Sequence, residues 1–230
     1  MRILMLGNSF TTANHMPDML AELTGAEIVQ HTRGGERLAD QLNPKTKMGK
    51  RTQEALQNEK WDFVILQEMS NGPITSKASF LENAEKLCEK IRENGAKPVF
   101  YATWAYQRGG KKLETFEMDY DEMYQKLRAN YYKEAQKYGL DLIPCGDVIQ
   151  TLRKEKEFNV REGGISLCRD GFHMNYLYGR YALACTWLAK IFGEEAGKIS
   201  NEFLAESAGM QDFALLGKIR KIAEQVCWNK

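Results

Sequence analysis

The chain has 230 residues, 43% of them hydrophobic and 27% charged, proportions that exclude a disordered or fibrous polypeptide and suit a compact globular one. Its net charge of +1 leaves no overall footprint for nucleic acid or an anionic membrane surface. The five cysteines (Cys88, Cys145, Cys168, Cys185, Cys227) include no CxxC pair, so no zinc ribbon or disulfide framework is expected, and they read as small buried apolar residues in a reducing compartment.

The opening apolar run, Ile3 to Leu6, is shorter than a signal-peptide core or a membrane span and is broken by Gly7 and Asn8, so a cytoplasmic, membrane-free protein is expected. The first strand is read as Arg2 to Leu6. A helix from about Asn14 to Leu23 follows, then a strand over Glu27 to Thr32 that runs into Gly34-Gly35. Lys47 to Gln57 has a helical pattern. Asp62 to Leu66, rich in Phe, Val, Ile and Leu, resembles strands buried on both faces. Between Lys77 and Glu93 the apolar positions Phe80, Ala84, Leu87, Cys88 and Ile91 recur every three or four residues, one stripe of a helix that stops at Asn94-Gly95.

Pro98 to Ala102 gives the next strand, Tyr120 to Tyr138 a long helix ended by Gly139, and Asp141 to Ile143 a short last strand. Three helical stretches close the chain: Asp147 to Lys156, Asn175 to Phe192 and Gln211 to Val226. Strands alternating with amphipathic helices, without repeats or linkers, predict one α/β domain over residues 1–230. Its expected form is three layers, a doubly wound, mainly parallel five-stranded sheet with helices on both faces. In such sheets ligands bind beyond the carboxyl ends of the strands, which gives weight to residues placed there.

Gly7-Asn8-Ser9-Phe10-Thr11 stands where the first strand ends and a helix begins. Backbone N–H groups are unpaired at such a point and can receive an oxyanion or phosphate; equally, Asn8, Ser9 and the threonines can simply cap the helix. Near the other end, Asp170-Gly171-Phe172-His173 sets a carboxylate three residues before an imidazole. Asp170 can then fix the ring and leave its second nitrogen free as a general base for a serine hydroxyl. Of the other two histidines, His15 lies in the first helical segment with Asp18 one turn away and His31 sits within the second strand, and both read as structural.

With these motifs in this order, the chain resembles the SGNH (GDSL-type) hydrolase superfamily, the flavodoxin-like esterases and carbohydrate deacylases, over nearly its whole length. The resemblance implies Ser9 as nucleophile, His173 as general base and then acid, and Asp170 as the group that orients the imidazole. It implies an oxyanion hole built from the Ser9 N–H, a glycine N–H after the second strand and a side-chain amide after the third. The glycine is Gly34 or Gly35, with Gly35 preferred. The superfamily's usual Gly-x-Asn-Asp after the third strand is missing; the chain reads Leu66-Gln67-Glu68-Met69-Ser70-Asn71, a Leu-Gln-Glu-x-Ser block similar to that of an uncharacterised branch. Gln67 or Asn71 would supply the amide, Gln67 being preferred.

Asn8 replaces the more usual aspartate, which removes a charge beside the nucleophile. Glu68 is expected to anchor the loop through Arg33 or Arg37 or to stay in solvent. Arg37 can present charge to a substrate, and Trp104 and Tyr106, in the long loop after the fourth strand, can stack on a sugar or pack beneath that loop. Tyr176, Tyr178 and Tyr181 are expected to pack along the helix after His173.

The resulting expectation is a cofactor-free, metal-free serine esterase acting on a small-molecule or oligosaccharide ester, an acetylated carbohydrate foremost. Its rivals are a flavodoxin-like domain whose first loop cradles a phosphate, and a degenerate hydrolase retained as a carbohydrate-binding module.

Overall fold

A computed structural model describes residues 1–193 and 212–228. Five strands, β1 (Arg2–Gly7), β2 (Glu27–Thr32), β3 (Phe63–Leu66), β4 (Lys97–Tyr101) and β5 (Asp141–Ile143), form one sheet in the order β2-β1-β3-β4-β5. Every pairing is parallel, with Gly7 opposite Thr32 and Leu6 opposite Leu66. The chain steps from β1 to β2 on one side and returns to β3 on the other. The point where strand order reverses therefore lies at the carboxyl ends of β1 and β3, where such sheets open a crevice.

Alternation along the strands divides the core. Ile3, Met5, Ile65, Val99, Tyr101 and Ile143 point to one face, and Leu4, Leu6, Val64, Leu66, Phe100 and Leu142 to the other. The first face is covered by α2 (Met16–Thr24), α9 (Cys145–Leu152), α10 (Tyr178–Trp187) and α11 (Phe213–Trp228). The second is covered by α4 (Lys47–Asn58), α6 (Lys77–Asn94) and the later part of α8 (Tyr120–Tyr138). The doubly wound α/β sheet is thus as expected, and its five strands are wholly parallel. Each fully buried aliphatic side chain contributes about 1.5–3 kcal/mol, so β1, whose Ile3, Leu4, Met5 and Leu6 are all buried, is a firm base for the loop that follows it.

The expected helix stops occur: Gly95 (φ +91°) ends α6 and Gly139 (φ +60°) ends α8. Three short helices had no signal in the pattern: α3 (Leu38–Leu42), α5 (Gly72–Thr75) and α7 (Lys111–Glu114). The helix expected from Asn14 to Leu23 is α2, which begins at Met16 after His15 in the left-handed region (φ +58°), and a separate short helix, α1 (Ser9–Thr12), precedes it. The helix expected from Asn175 begins only at Tyr178 and passes into a π-helical turn, Leu188–Phe192. Of the last expected helix, Gln211 lies outside the described residues. Cys88, Cys145, Cys168 and Cys185 are buried, Cys227 is partly so, and all five are free thiols. No helix among the described residues is long and apolar enough to cross a membrane.

Candidate active site

Ser9 is the first residue of α1, directly beyond β1. The turn that delivers it is tied on three sides by Asn8, which is almost wholly buried. The Asn8 Oδ1 accepts from the Phe10 N–H at 3.0 Å, and its Nδ2 donates to the Glu36 carbonyl at 3.0 Å and the Glu68 carbonyl at 3.3 Å. One amide thereby joins the loops after β1, β2 and β3. An aspartate could not donate to those two carbonyls, so the asparagine is needed as a donor and not merely as an uncharged neighbour of the nucleophile. With Asn8 N–H on Gln67, Phe10 N–H on the Asn8 side chain and the Thr11 and Thr12 N–H groups on the Asn8 carbonyl, the turn keeps the Ser9 N–H as a donor but not the several that a phosphate cradle requires.

His173 reaches this turn from the other end of the chain. Its Nε2 lies 2.8 Å from Ser9 Oγ and its Nδ1 lies 2.7 Å from Asp170 Oδ2. The other Asp170 oxygen accepts from the backbone N–H groups of His173 (2.8 Å) and Phe172 (3.2 Å). Partial burial raises the carboxyl's pKa, but the imidazole and these two N–H groups outweigh it, so Asp170 is held below the usual carboxylate range. Bonded to a carboxylate on one side, the ring can take the serine proton on the other.

Gln67, preferred for the oxyanion hole, is 1% exposed. Its Oε1 accepts from the Asn8 N–H (3.0 Å) and the Thr11 hydroxyl (2.9 Å), and its Nε2 donates to the Glu68 carbonyl. It braces the nucleophile turn so closely that a Cβ at Gly7 would come within 2.7 Å of its Oε1. Asn71, the alternative, is only partly buried and its side chain has no hydrogen-bond partner among the described residues. Its neighbour Ser70 bonds the Tyr106 hydroxyl at 2.8 Å, and the Tyr106 ring packs edge-on against Phe172 at 5.7 Å, beside His173. After β2, Glu36 N–H closes a turn on the Arg33 carbonyl, with Gly34 and Gly35 at its exposed tip. Gly35 supplies the positive φ (+71°) this turn needs. Neither the Gly35 N–H nor the Ser9 N–H has an acceptor among the described residues.

Trp104 and Tyr106 are each 1% exposed and neither can stack on a sugar. They support the catalytic loop from behind: Trp104 lies flat on Phe10 at 4.5 Å, and its Nε1 donates to the Phe172 carbonyl at 2.7 Å. Arg37 donates to Ser76 Oγ at 3.0 Å and bridges the loops after β2 and β3. Glu68 meets neither arginine and is not in solvent. It is buried and accepts from the Leu38 N–H (3.1 Å), capping α3, and from the Met69 N–H (2.9 Å); burial raises its pKa.

Tyr176 was missed as a surface residue. Its ring is exposed (46%), lies under the Arg169 guanidinium at 4.8 Å and stacks beside His15 at 6.1 Å. Arg169 in turn donates to the Ala13 carbonyl at 2.8 Å. Asn175 carried the overlooked signal: its Oδ1 accepts from the Leu177 and Gly179 N–H groups, a turn that delays the helix and leaves Tyr176 in a loop.

The sheet, the serine at the end of β1 and the Asp-x-x-His loop together have the architecture of the SGNH hydrolases. Within that architecture the chain belongs to the family described as domain of unknown function DUF4886, whose model matches residues 40–215. A candidate SGNH hydrolase from Slackia heliotrinireducens is 42% identical, over 81% of this chain and 96% of that one, with a TM-score of 0.73. A DUF4886 protein from Bacteroides uniformis (22% identity, 100% and 93% coverage, TM-score 0.65) and the acetyl xylan esterase AlAXEase (17%, 83% and 100%, 0.63) share the fold. No curated protein matches the chain.

Proposed function

We propose that the protein is a serine esterase that removes a short acyl group, acetyl foremost, from a hydroxyl of a carbohydrate or similarly polar molecule. The observation that carries this reading is the continuous relay from Ser9 Oγ through His173 to Asp170, at 2.8 and 2.7 Å. Ser9 Oγ attacks the ester carbonyl while His173 Nε2 takes its proton, and the imidazolium is held against Asp170. The tetrahedral oxyanion is received by the N–H groups of Ser9 and Gly35 and by the Asn71 amide, with Gln67 fixing the turn that carries the nucleophile. Collapse expels the alcohol, protonated by His173. Water activated by the same ring then attacks the acyl-enzyme, releasing the acid and restoring Ser9.

The polar alcohol is supported by the exposed Tyr176 ring with Arg169 above it, an arrangement suited to the apolar face and the hydroxyls of a sugar. The short acyl preference is supported by likeness in fold to an acetyl xylan esterase. Hydrolysis of p-nitrophenyl acetate by the purified protein, faster than of the octanoyl ester, is the test. Ser9→Ala should lower kcat by about 10⁴-fold or more; an unchanged rate would remove Ser9 from the mechanism.

A further inference from the structure

The loop that carries Trp104 and Tyr106 also borders a cavity away from Ser9 and His173. Gln107 and Arg108 line a space of about 260 Å³ together with Tyr120 and Phe158, and neither Ser9 nor His173 contributes to its wall. Arg153, at the end of α9, is its most telling residue. The guanidinium donates to the Ala105 carbonyl at 2.8 Å and to Cys168 Sγ at 3.2 Å, and lies 5.3 Å from the centre of the Tyr120 ring. No carboxylate pairs with it among the described residues. A half-buried cation without a carboxylate partner has lost part of its hydration, and an anion bound beside it offsets that loss.

The rest of the lining has the same bias. Lys154 and Arg161 border the cavity with no ion-pair partner among the described residues, and the single carboxylate there, Asp121, is taken by Arg108. The Gln150 amide oxygen accepts from the Tyr120 hydroxyl and that of Gln107 accepts from the Ser166 hydroxyl. Both glutamines are thus oriented with their NH₂ groups left over as donors. The cavity offers ammonium, guanidinium and amide N–H groups, and few acceptors. Its complement is a negatively charged ligand dense in oxygen acceptors.

We propose that this cavity is a binding site for a small polyhydroxylated anion, a sugar acid or a sugar phosphate. The site stands apart from the serine and does not depend on the esterase reading. Its link to the catalytic loop is physical: Arg153 holds Ala105 on one side and Cys168, two residues before Asp170, on the other.

Calorimetric titration of the full chain with galacturonate, glucose 6-phosphate and uncharged glucose tests this. Binding of either anion without binding of glucose, weakening as salt is added, supports the proposal, and the anion that binds identifies the charged group. The double variant Lys154→Gln/Arg161→Gln alters two exposed side chains and should keep its ligand-free melting temperature while binding the anion about tenfold more weakly or worse. Ser9→Ala should bind as the wild type does. Absence of anion binding, equal binding of glucose, an affinity untouched by the double variant, or loss of binding in Ser9→Ala would each overturn the proposal, the last by moving the anion into the serine site.

Discussion

Ser9 is positioned from the core outward, at the end of a buried strand, with Asn8 and Gln67 bonded beneath it across the loops after β1, β2 and β3. His173 is positioned from the surface inward. Its loop is closed by a single antiparallel bridge between Cys168 and Met174, its Asp170 side chain is 39% exposed, and it is stitched down by Trp104 to the Phe172 carbonyl, by the Gln107 N–H to the Gly171 carbonyl and by Arg169 to the Ala13 carbonyl. Rigidity on the first side comes from exclusion of water, and on the second from separate bonds that can be cut singly. Substitutions beneath the nucleophile should therefore act on folding, and substitutions around the base on turnover.

Asp170→Asn separates the two behaviours most widely. An amide there can present its NH₂ to Nδ1 and favour the wrong tautomer, so kcat on p-nitrophenyl acetate should fall by about 10³-fold with the melting temperature little changed. A large loss of stability would show that the base loop is part of the core after all. Asn8→Asp is the reciprocal experiment: it buries a carboxylate against the Glu36 and Glu68 carbonyls, and urea denaturation should show a loss of about 3 kcal/mol.

Acid sharpens the contrast on the nucleophile side. Burial, with Arg51 nearby, lowers the pKa of His31 to about 4, where its Nδ1 is 2.9 Å from the Thr52 hydroxyl. The unfolded chain takes up this proton near pH 6.5 and the folded one only near 4. Between those values the unfolded state binds more protons, and stability drops as pH is lowered through that window, by about 1–3 kcal/mol from this group. Stability measured at pH 7 and pH 4.5 should differ less in His31→Gln than in the wild type. The smallest effect is expected of Trp104→Phe, which keeps the ring on Phe10 and removes the donor to Phe172. A loss of about 1 kcal/mol of loop restraint should appear as a several-fold lower kcat, and an unchanged kcat would mean that the remaining stitches suffice.

The centre of the sheet was legible because β1, β3 and β4 are nearly continuous apolar runs buried on both faces, a pattern that few other structures need. Ser9, Asp170 and His173 could be singled out because each lies in a short motif whose chemistry is local. That Gln67 rather than Asn71 has its amide bonded beneath the Ser9 turn was not foreseeable on the same terms. Either amide could face the crevice, and only the packing of Thr11 and the Asn8 N–H against the Gln67 carbonyl decides which one is spent. For Trp104 and Tyr106 a long polar loop leaves stacking on a ligand and packing beneath the loop equally open, and the loop folds back over its own rings. Helices α3, α5 and α7, at four or five residues, are too short to develop a period.

The hydroxyl and the imidazole are separated by 164 residues of chain. On a ribosome, β1 through β5 can emerge and pair before the residue that activates Ser9 has been made, and domains tend to assemble from the amino terminus. On the proposed reading, Ser9 is an ordinary alcohol until the Asp170–His173 segment docks against the finished sheet, so a partly synthesised or truncated chain carries its serine without being able to attack esters. In refolding experiments, the return of turnover would time that final docking step rather than formation of the sheet.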